Sequence, residues 1–172
     1  GIHPSFSAYY IRRVRERMDS PLSQFLKDAG VSWEEDKVIP GNIVFSFPVR
    51  APEGSRVQDD VSALDMAELW AVYAKHWADH SVSATVQYSD DEFLGLGQWV
   101  WEHFDEITGL SFLPRSDHSY QQAPYEAIDE ATFRAMEEQM PALDFAKLGE
   151  YEKEDETEGQ QTLACVGGSC EI

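Results

Sequence analysis

Two thiols stand five positions apart, Cys165 and Cys170, with Gly167 and Gly168 between them. Glycine permits a tight backbone, so such a pair can close a small disulfide. A dithiol on a flexible arm is badly placed to stabilise a folded body. It is well placed to visit another thiol pair and exchange disulfides. Few bases lie nearby to depress either thiol pKa, so rapid thiolate chemistry needs help from a partner. The bland alternative is two incidental cysteines in a frayed terminus, and the spacing leaves both readings open.

Three further constellations could carry chemistry. His76 and His80 are four residues apart beside Asp79, so one turn of helix could present both imidazoles to a metal. No third ligand stands at a convincing spacing, and a wet helix end is the better reading. Asp117-His118 could be an acid–base pair. No nucleophile motif lies near it, which favours a structural loop. Tyr9-Tyr10-Ile11-Arg12-Arg13-Val14-Arg15 could hold phosphates or pair with the chain's own acids. No glycine-rich phosphate loop occurs.

The elements that must position these residues follow from periodicity and punctuation. Ser20-Pro21 reads as a helix cap with Pro at the first helical position, and Gly30 as the stop. Residues 42–48 form a short apolar, β-branched and aromatic run that reads as a buried strand. A polar loop follows from Val49 to Asp60. Ser62 with Asp65 opens the best helix, where Met66, Leu69, Trp70, Tyr73 and Trp77 recur at helical spacing. Residues 82–88 read as a second strand. Asp90 to Ile107 reads as a helix with Phe93, Val100, Trp101 and Phe104 on one side, and Gly109 as its stop. Asp129 caps a last helix through Met140. Two strands flanking a helix at this separation favour parallel pairing. Two or three strands close no sheet, so the body reads as a sector of a larger α/β architecture with exposed edges.

The chain has 172 residues, 42% apolar and 12% aromatic, enough for about one domain with a real core. Its 32 acids against 13 Lys and Arg give a formal charge of −19. Such a surface repels phosphates and anionic lipid, so no nucleic-acid or membrane partner is expected. No apolar run approaches the roughly 20 residues of a bilayer span, and no signal peptide pattern opens the chain. Two cysteines make neither a disulfide scaffold nor a Cys-only zinc site. Residues 150–158 carry six acids against one Lys and precede the cysteines closely. The expected organisation is a folded body over 1–148 and a flexible acidic tail over 149–172.

Several segments then combine into a resemblance. Gly1-Ile2-His3-Pro4, the Tyr9 to Arg15 run, Phe47-Pro48-Val49-Arg50-Ala51-Pro52-Glu53-Gly54, Tyr120-Gln121-Gln122-Ala123-Pro124-Tyr125 and the terminal Cys-x4-Cys occur in that order. Together they resemble the C-terminal portion of an adenosylcobalamin-dependent (class II) ribonucleotide reductase, over essentially the whole chain. The resemblance implies a ten-stranded α/β barrel of which this chain is a C-terminal sector, with 42–48 and 82–88 as its last strands. It implies ribonucleotide substrate and adenosylcobalamin in the complete enzyme, with the cofactor-binding residues mostly outside this chain. The radical cysteine, its Asn and Glu neighbours, the buried redox pair and the Pro-Ser-Gly-Thr phosphate segment are absent. Only Cys165 and Cys170 map residue by residue, as the redox-active tail pair.

The implied chemistry is concrete. A thiyl radical formed outside this chain takes a ribose hydrogen, and the 2′-hydroxyl leaves as water. A buried cysteine pair supplies two electrons and becomes a disulfide. Cys165 and Cys170 reduce that disulfide, and thioredoxin or a similar reductant restores the tail. The implied partners are an N-terminal reductase polypeptide or missing N-terminal sequence, and thioredoxin; the implied location is cytoplasmic. Alone, the chain would be incomplete and inactive. Three alternatives stand beside this reading. One is a fragment of a class I large subunit, although the tyrosine pair of a radical relay is not evident around Val86-Gln87-Tyr88. The others are a stand-alone acidic interaction module and a small thiol–disulfide carrier.

Overall fold

A computed structural model describes residues 2–115 and 121–152. It is a mixed α/β structure. Described residues of Gly1–Arg13 and Phe47–Glu138 form one compact unit, and those of Val14–Ser46 and Gln139–Ile172 form another. Strands β1 (Tyr9–Arg17) and β3 (Asn42–Arg50) run through both units. With β2 (Trp33–Glu35) and β6 (Tyr125–Ala127) they make a four-stranded sheet in the order β2-β3-β1-β6. A separate two-stranded sheet pairs β4 (Ala84–Tyr88) with β5 (Leu110–Pro114).

The larger unit is built on α2 (Ala63–His76), β4, α3 (Phe93–Glu102) and β5. The Ser62 hydroxyl accepts from the Asp65 N–H at 3.0 Å and starts α2 as its sequence suggests. Met66, Ala67, Trp70 and Ala71 face inward against Val82, Ala84 and Val86 from the strand side and Leu96 and Trp99 from α3. The Trp70 indole donates to the Val82 carbonyl at 2.8 Å, so its one polar atom is satisfied inside the core. Trp70 meets Trp99 edge-on at 6.3 Å, and the Trp99 indole donates to Glu68 at 2.7 Å. β4 runs parallel to β5, in register from Ala84 opposite Leu110 to Tyr88 opposite Pro114. α4 (Glu130–Gln139) starts at Asp129, whose carboxylate accepts from the Thr132 N–H, and buries Phe133 against Tyr9.

The smaller unit holds α1 (Pro21–Asp28), capped by Ser20 and ended near Gly30 at φ +86°. β2 and β3 pair antiparallel. Ile43, Val44 and Phe45 are all fully buried, so this stretch of β3 is covered on both faces. Phe25 packs against Phe145 and Tyr151, and the Tyr151 hydroxyl donates to Asp28 at 3.0 Å.

Three expectations are corrected. β3 is not the parallel partner of β4. It lies in the antiparallel sheet, and β4 instead pairs with β5 across α3. A long connection permits a crossover but does not choose the partner, and the shorter α3 connection supplied one. The helix expected over 90–107 spans Phe93–Glu102, and Gly109 lies instead where the starts of β4 and β5 converge. On α2 the stripe is inward at Met66 and Trp70, with Tyr73 packed beside them, and outward at its other members; on α3 the inner face is a different one. Leu69, Trp77, Phe93, Trp101 and Phe104 are exposed, and α3 buries Leu96 and Trp99. α3 is apolar on nearly every side, so spacing alone could not select its inner face.

Candidate functional site

The inner and outer sides of β4 part company after the core is filled. Ala84 and Val86 turn toward α2, while Thr85 and Gln87 turn to the opposite face. There they line a cavity of about 390 Å³ within the larger unit. One side is aromatic. Phe6 stacks on Tyr125 at 5.5 Å and 24°, and Tyr10 lies 6.0 Å from each of them. The pairing of Tyr10 with Ala127 and of Arg12 with Tyr125 holds β1 beside β6 and so brings these rings together.

The other side is polar. Gln58 donates to the Gln87 side-chain oxygen, and Thr85 shares a hydrogen bond with Ser111 on β5 at 3.2 Å. The loop before α2 is drawn in where the Gln58 N–H donates to the Ser5 carbonyl at 2.8 Å. Arg115, at the end of β5, donates from Nη2 to the Val61 carbonyl at 2.6 Å. Its Nε is buried and has no hydrogen-bond partner among the described residues. His3 completes the lining, which contains no Asp, Glu or Lys. Arg115 is the strongly basic side chain of the lining, and its charge also acts on the Asp91 and Glu92 carboxylates. Rings on one side, amides and hydroxyls on the other, and a guanidinium at the rim suit a planar ligand with an anionic group.

Glu92 holds the frame of this cavity. Its carboxylate accepts from the Ala63 N–H at 2.8 Å, and from the Ser89 N–H and hydroxyl at 2.9 Å each. It thus ties the start of α2 to the turn after β4. Burial pushes its pKa up, but hydrogen bonds from the Ala63 and Ser89 N–H groups and the Ser89 hydroxyl outweigh burial. The Arg115 charge adds to them, and the carboxyl is held below the ordinary glutamate value.

The residues singled out from sequence have separate fates. In the basic run, Arg13 donates to the Ala123 carbonyl at 3.0 Å and pairs with Glu126. Arg15 stands 3.2 Å from the buried Asp36. Asp36 is held below the usual carboxylate range by the Val38 N–H first, against burial, and then by Ile39 and Arg15. The acids of the chain itself therefore take these arginines. His76 ends α2, exposed, and among the described residues no group of three potential metal ligands occurs. Asp117-His118, Cys165 and Cys170 lie outside the described residues. Gln58, Gln87 and Arg115 were missed. The only sequence signal was a lone Arg closing the apolar run Leu110 to Pro114.

Comparison with known proteins gives a consistent answer, although no family model matches the chain. A probable adenosylcobalamin-dependent ribonucleoside-triphosphate reductase of Dictyostelium discoideum is 32% identical over 86% of this chain and 20% of its own length. The reductase so named from Euglena gracilis is 37% identical over 74% of this chain and 18% of its length. That of Levilactobacillus brevis is 28% identical over 100% of this chain and 24% of its length. The crystal structure of a B12-dependent (class II) ribonucleotide reductase superposes with a TM-score of 0.66 at 26% identity, over 89% of this chain and 22% of that one. The chain thus spans about a fifth to a quarter of the length of these relatives. By sequence along its length and by fold, the chain belongs to the adenosylcobalamin-dependent, class II ribonucleotide reductase family, of which it is a segment.

Proposed function

We propose that this chain is the C-terminal portion of a ribonucleotide reductase that converts ribonucleoside triphosphates to deoxyribonucleotides, and that it acts only when joined by the rest of the enzyme. The observation that carries the reading is the whole-chain match to reductases four to five times as long. The β4–β5 pair supports it independently. Parallel sheets are ordinarily covered on both faces, yet Phe112 and Leu113 point to opposite faces of β5 and both are exposed. In the complete enzyme this pair would continue into further strands as one sector of a barrel.

The relatives' names carry adenosylcobalamin, and we assign that cofactor to the complete enzyme. The described residues do not by themselves fit it. The 390 Å³ cavity is at the low end for a drug-sized ligand, and a corrinoid is far larger. What this chain contributes is a nucleotide-sized cavity with Arg115 at its rim and, after the segment that packs Tyr151 on α1, a tail carrying the dithiol.

In the tail, one thiolate of Cys165 and Cys170 attacks the disulfide left by substrate reduction and forms a mixed disulfide. The second thiol resolves it, releasing the reduced active-site pair and leaving a Cys165–Cys170 disulfide. Two electrons and two protons pass inward. Thioredoxin or a similar dithiol then reduces the tail.

The test supplies this chain in trans to the preceding part of the reductase from the same organism, with adenosylcobalamin, dithiothreitol and a radiolabelled ribonucleoside triphosphate. Deoxynucleotide is expected only when both polypeptides are present. Equal turnover without this chain, or none with both present and folded, would overturn the reading.

A further inference from the structure

On α3, Leu94, Gly97 and Trp101 recur at intervals of three and four residues, which aligns them in one stripe, and Phe104 follows two residues past the helix end. Leu94 is 81% exposed, Trp101 83% and Phe104 70%. A Cβ on Gly97 would meet nothing within 4 Å, so the stripe has an open notch between Leu94 and Trp101. The opposite face of α3 is the one that buries Leu96 and Trp99. The stripe therefore adds nothing to this chain's own core. Trp77, just past α2, is 82% exposed. Lys75 pairs with Glu106 at 3.1 Å, so the C-terminal ends of α2 and α3 lie side by side.

Three such rings expose an area on the order of 400–500 Å², taking roughly 150–250 Å² for each aromatic side chain. Exposed apolar area of that order is what marks interaction surfaces on monomers. Strands added to β4 and β5 would extend their sheet and leave this far side of α3 bare. Barrel closure alone does not account for it.

Two observations choose the occupant. The family members that this chain matches are four to five times longer, so most of the polypeptide that could cover the stripe lies outside this chain. The stripe is also flanked by exposed Glu102, Asp105 and Asp79, on a chain of charge −19. Two copies brought face to face would set like charges together, which costs stability. A heterologous segment with apolar side chains inside a Lys/Arg rim fits instead.

We propose that the Leu94–Gly97–Trp101 stripe of α3, with Phe104 just past its end and Trp77 just past α2, is a docking surface for an apolar, basic-rimmed segment of the rest of the reductase, reaching over the outside of α3. The proposal rests on the reading of this chain as a reductase portion. The test measures assembly of the full chain with the preceding part of the reductase by sedimentation and by titration. Wild type is compared with Trp101→Glu/Phe104→Glu and with Val38→Glu, an equally exposed apolar site elsewhere. Circular dichroism and urea melting confirm that each variant folds. The stripe variant is expected to weaken assembly at least tenfold, with Val38→Glu unchanged and wild-type affinity falling as salt rises. Assembly by the folded stripe variant at wild-type affinity would overturn the docking surface and leave the reductase reading intact. Failure of wild type to assemble at all would overturn both. A wild-type homodimer abolished by the stripe variant, with heterologous assembly unaffected, would overturn the choice of occupant.

Discussion

Two side chains carry the most specific consequences. Glu92 satisfies three donors at once, so Glu92→Gln replaces an acceptor by an amide donor and strands at least one of them. A cost of about 1–2 kcal/mol in urea unfolding at neutral pH is expected. The pH dependence has a definite sign. The folded-state pKa lies below the ordinary glutamate value, so the stabilisation is complete above that ordinary value. It is lost as pH falls through the folded pKa. The gap between wild type and Glu92→Gln should therefore be widest at neutral pH and close in acid; a gap that widens on acidification would contradict the assignment. Arg115 is the second. Its Nη2 is spent on Val61, and its charge, which also acts on Asp91 and Glu92, stands at the rim of a cavity whose lining has no acids. In the reconstituted enzyme, Arg115→Leu is expected to raise KM for the ribonucleotide about tenfold, the effect of roughly 1.4 kcal/mol of charge-assisted contact. An unchanged KM would remove the cavity from substrate binding.

At the scale of elements, local punctuation was the legible part. Ser20-Pro21, Ser62 and Asp129 each cap the helix they announce, because a cap is decided within three residues of itself. Which strands pair was not legible, because pairing is decided by partners far away in sequence. The short strands β2 and β6 carry too few residues to show a period. β1 was not legible as a strand because arginines recur through it, and the pairing of Arg13 with Glu126 and Arg15 with Asp36 explains how a strand tolerates them. The cavity was legible least, since Gln58, Gln87 and Arg115 come from a turn before α2, a strand and the residue just after β5, with no common motif. Gly109 gives the sharpest test at this scale. A Cβ there would stand 2.4 Å from the Val82 carbonyl oxygen, with backbone on the other side of the clash. Gly109→Ala must therefore push apart the starts of β4 and β5, where the Ala84 N–H donates to the Gly109 carbonyl at 3.0 Å. A loss of about 1–3 kcal/mol is expected in chemical denaturation. A neutral effect would mean that this approach is looser than described.

For the whole molecule, several features agree on one state of affairs. The parallel pair β4–β5 is under-covered, the outer face of α3 is apolar, and the match reaches across this chain but only a quarter or less of its relatives. Each fits the proposal that this chain gains further contacts from the rest of the enzyme. Among the described residues no helix is long and apolar enough to cross a membrane. The central claim is that this part ends in the dithiol through which electrons enter, and one comparison tests it most directly. Deoxynucleotide formation by the assembled enzyme is followed with wild type and with Cys165→Ser/Cys170→Ser, driven once by thioredoxin and once by dithiothreitol. Wild type should turn over with both reductants. The double variant should lose thioredoxin-driven turnover by a hundredfold or more, beyond a first turnover, yet keep activity with the small dithiol, which reaches the buried disulfide unaided. Full thioredoxin-driven turnover without either cysteine would contradict the account.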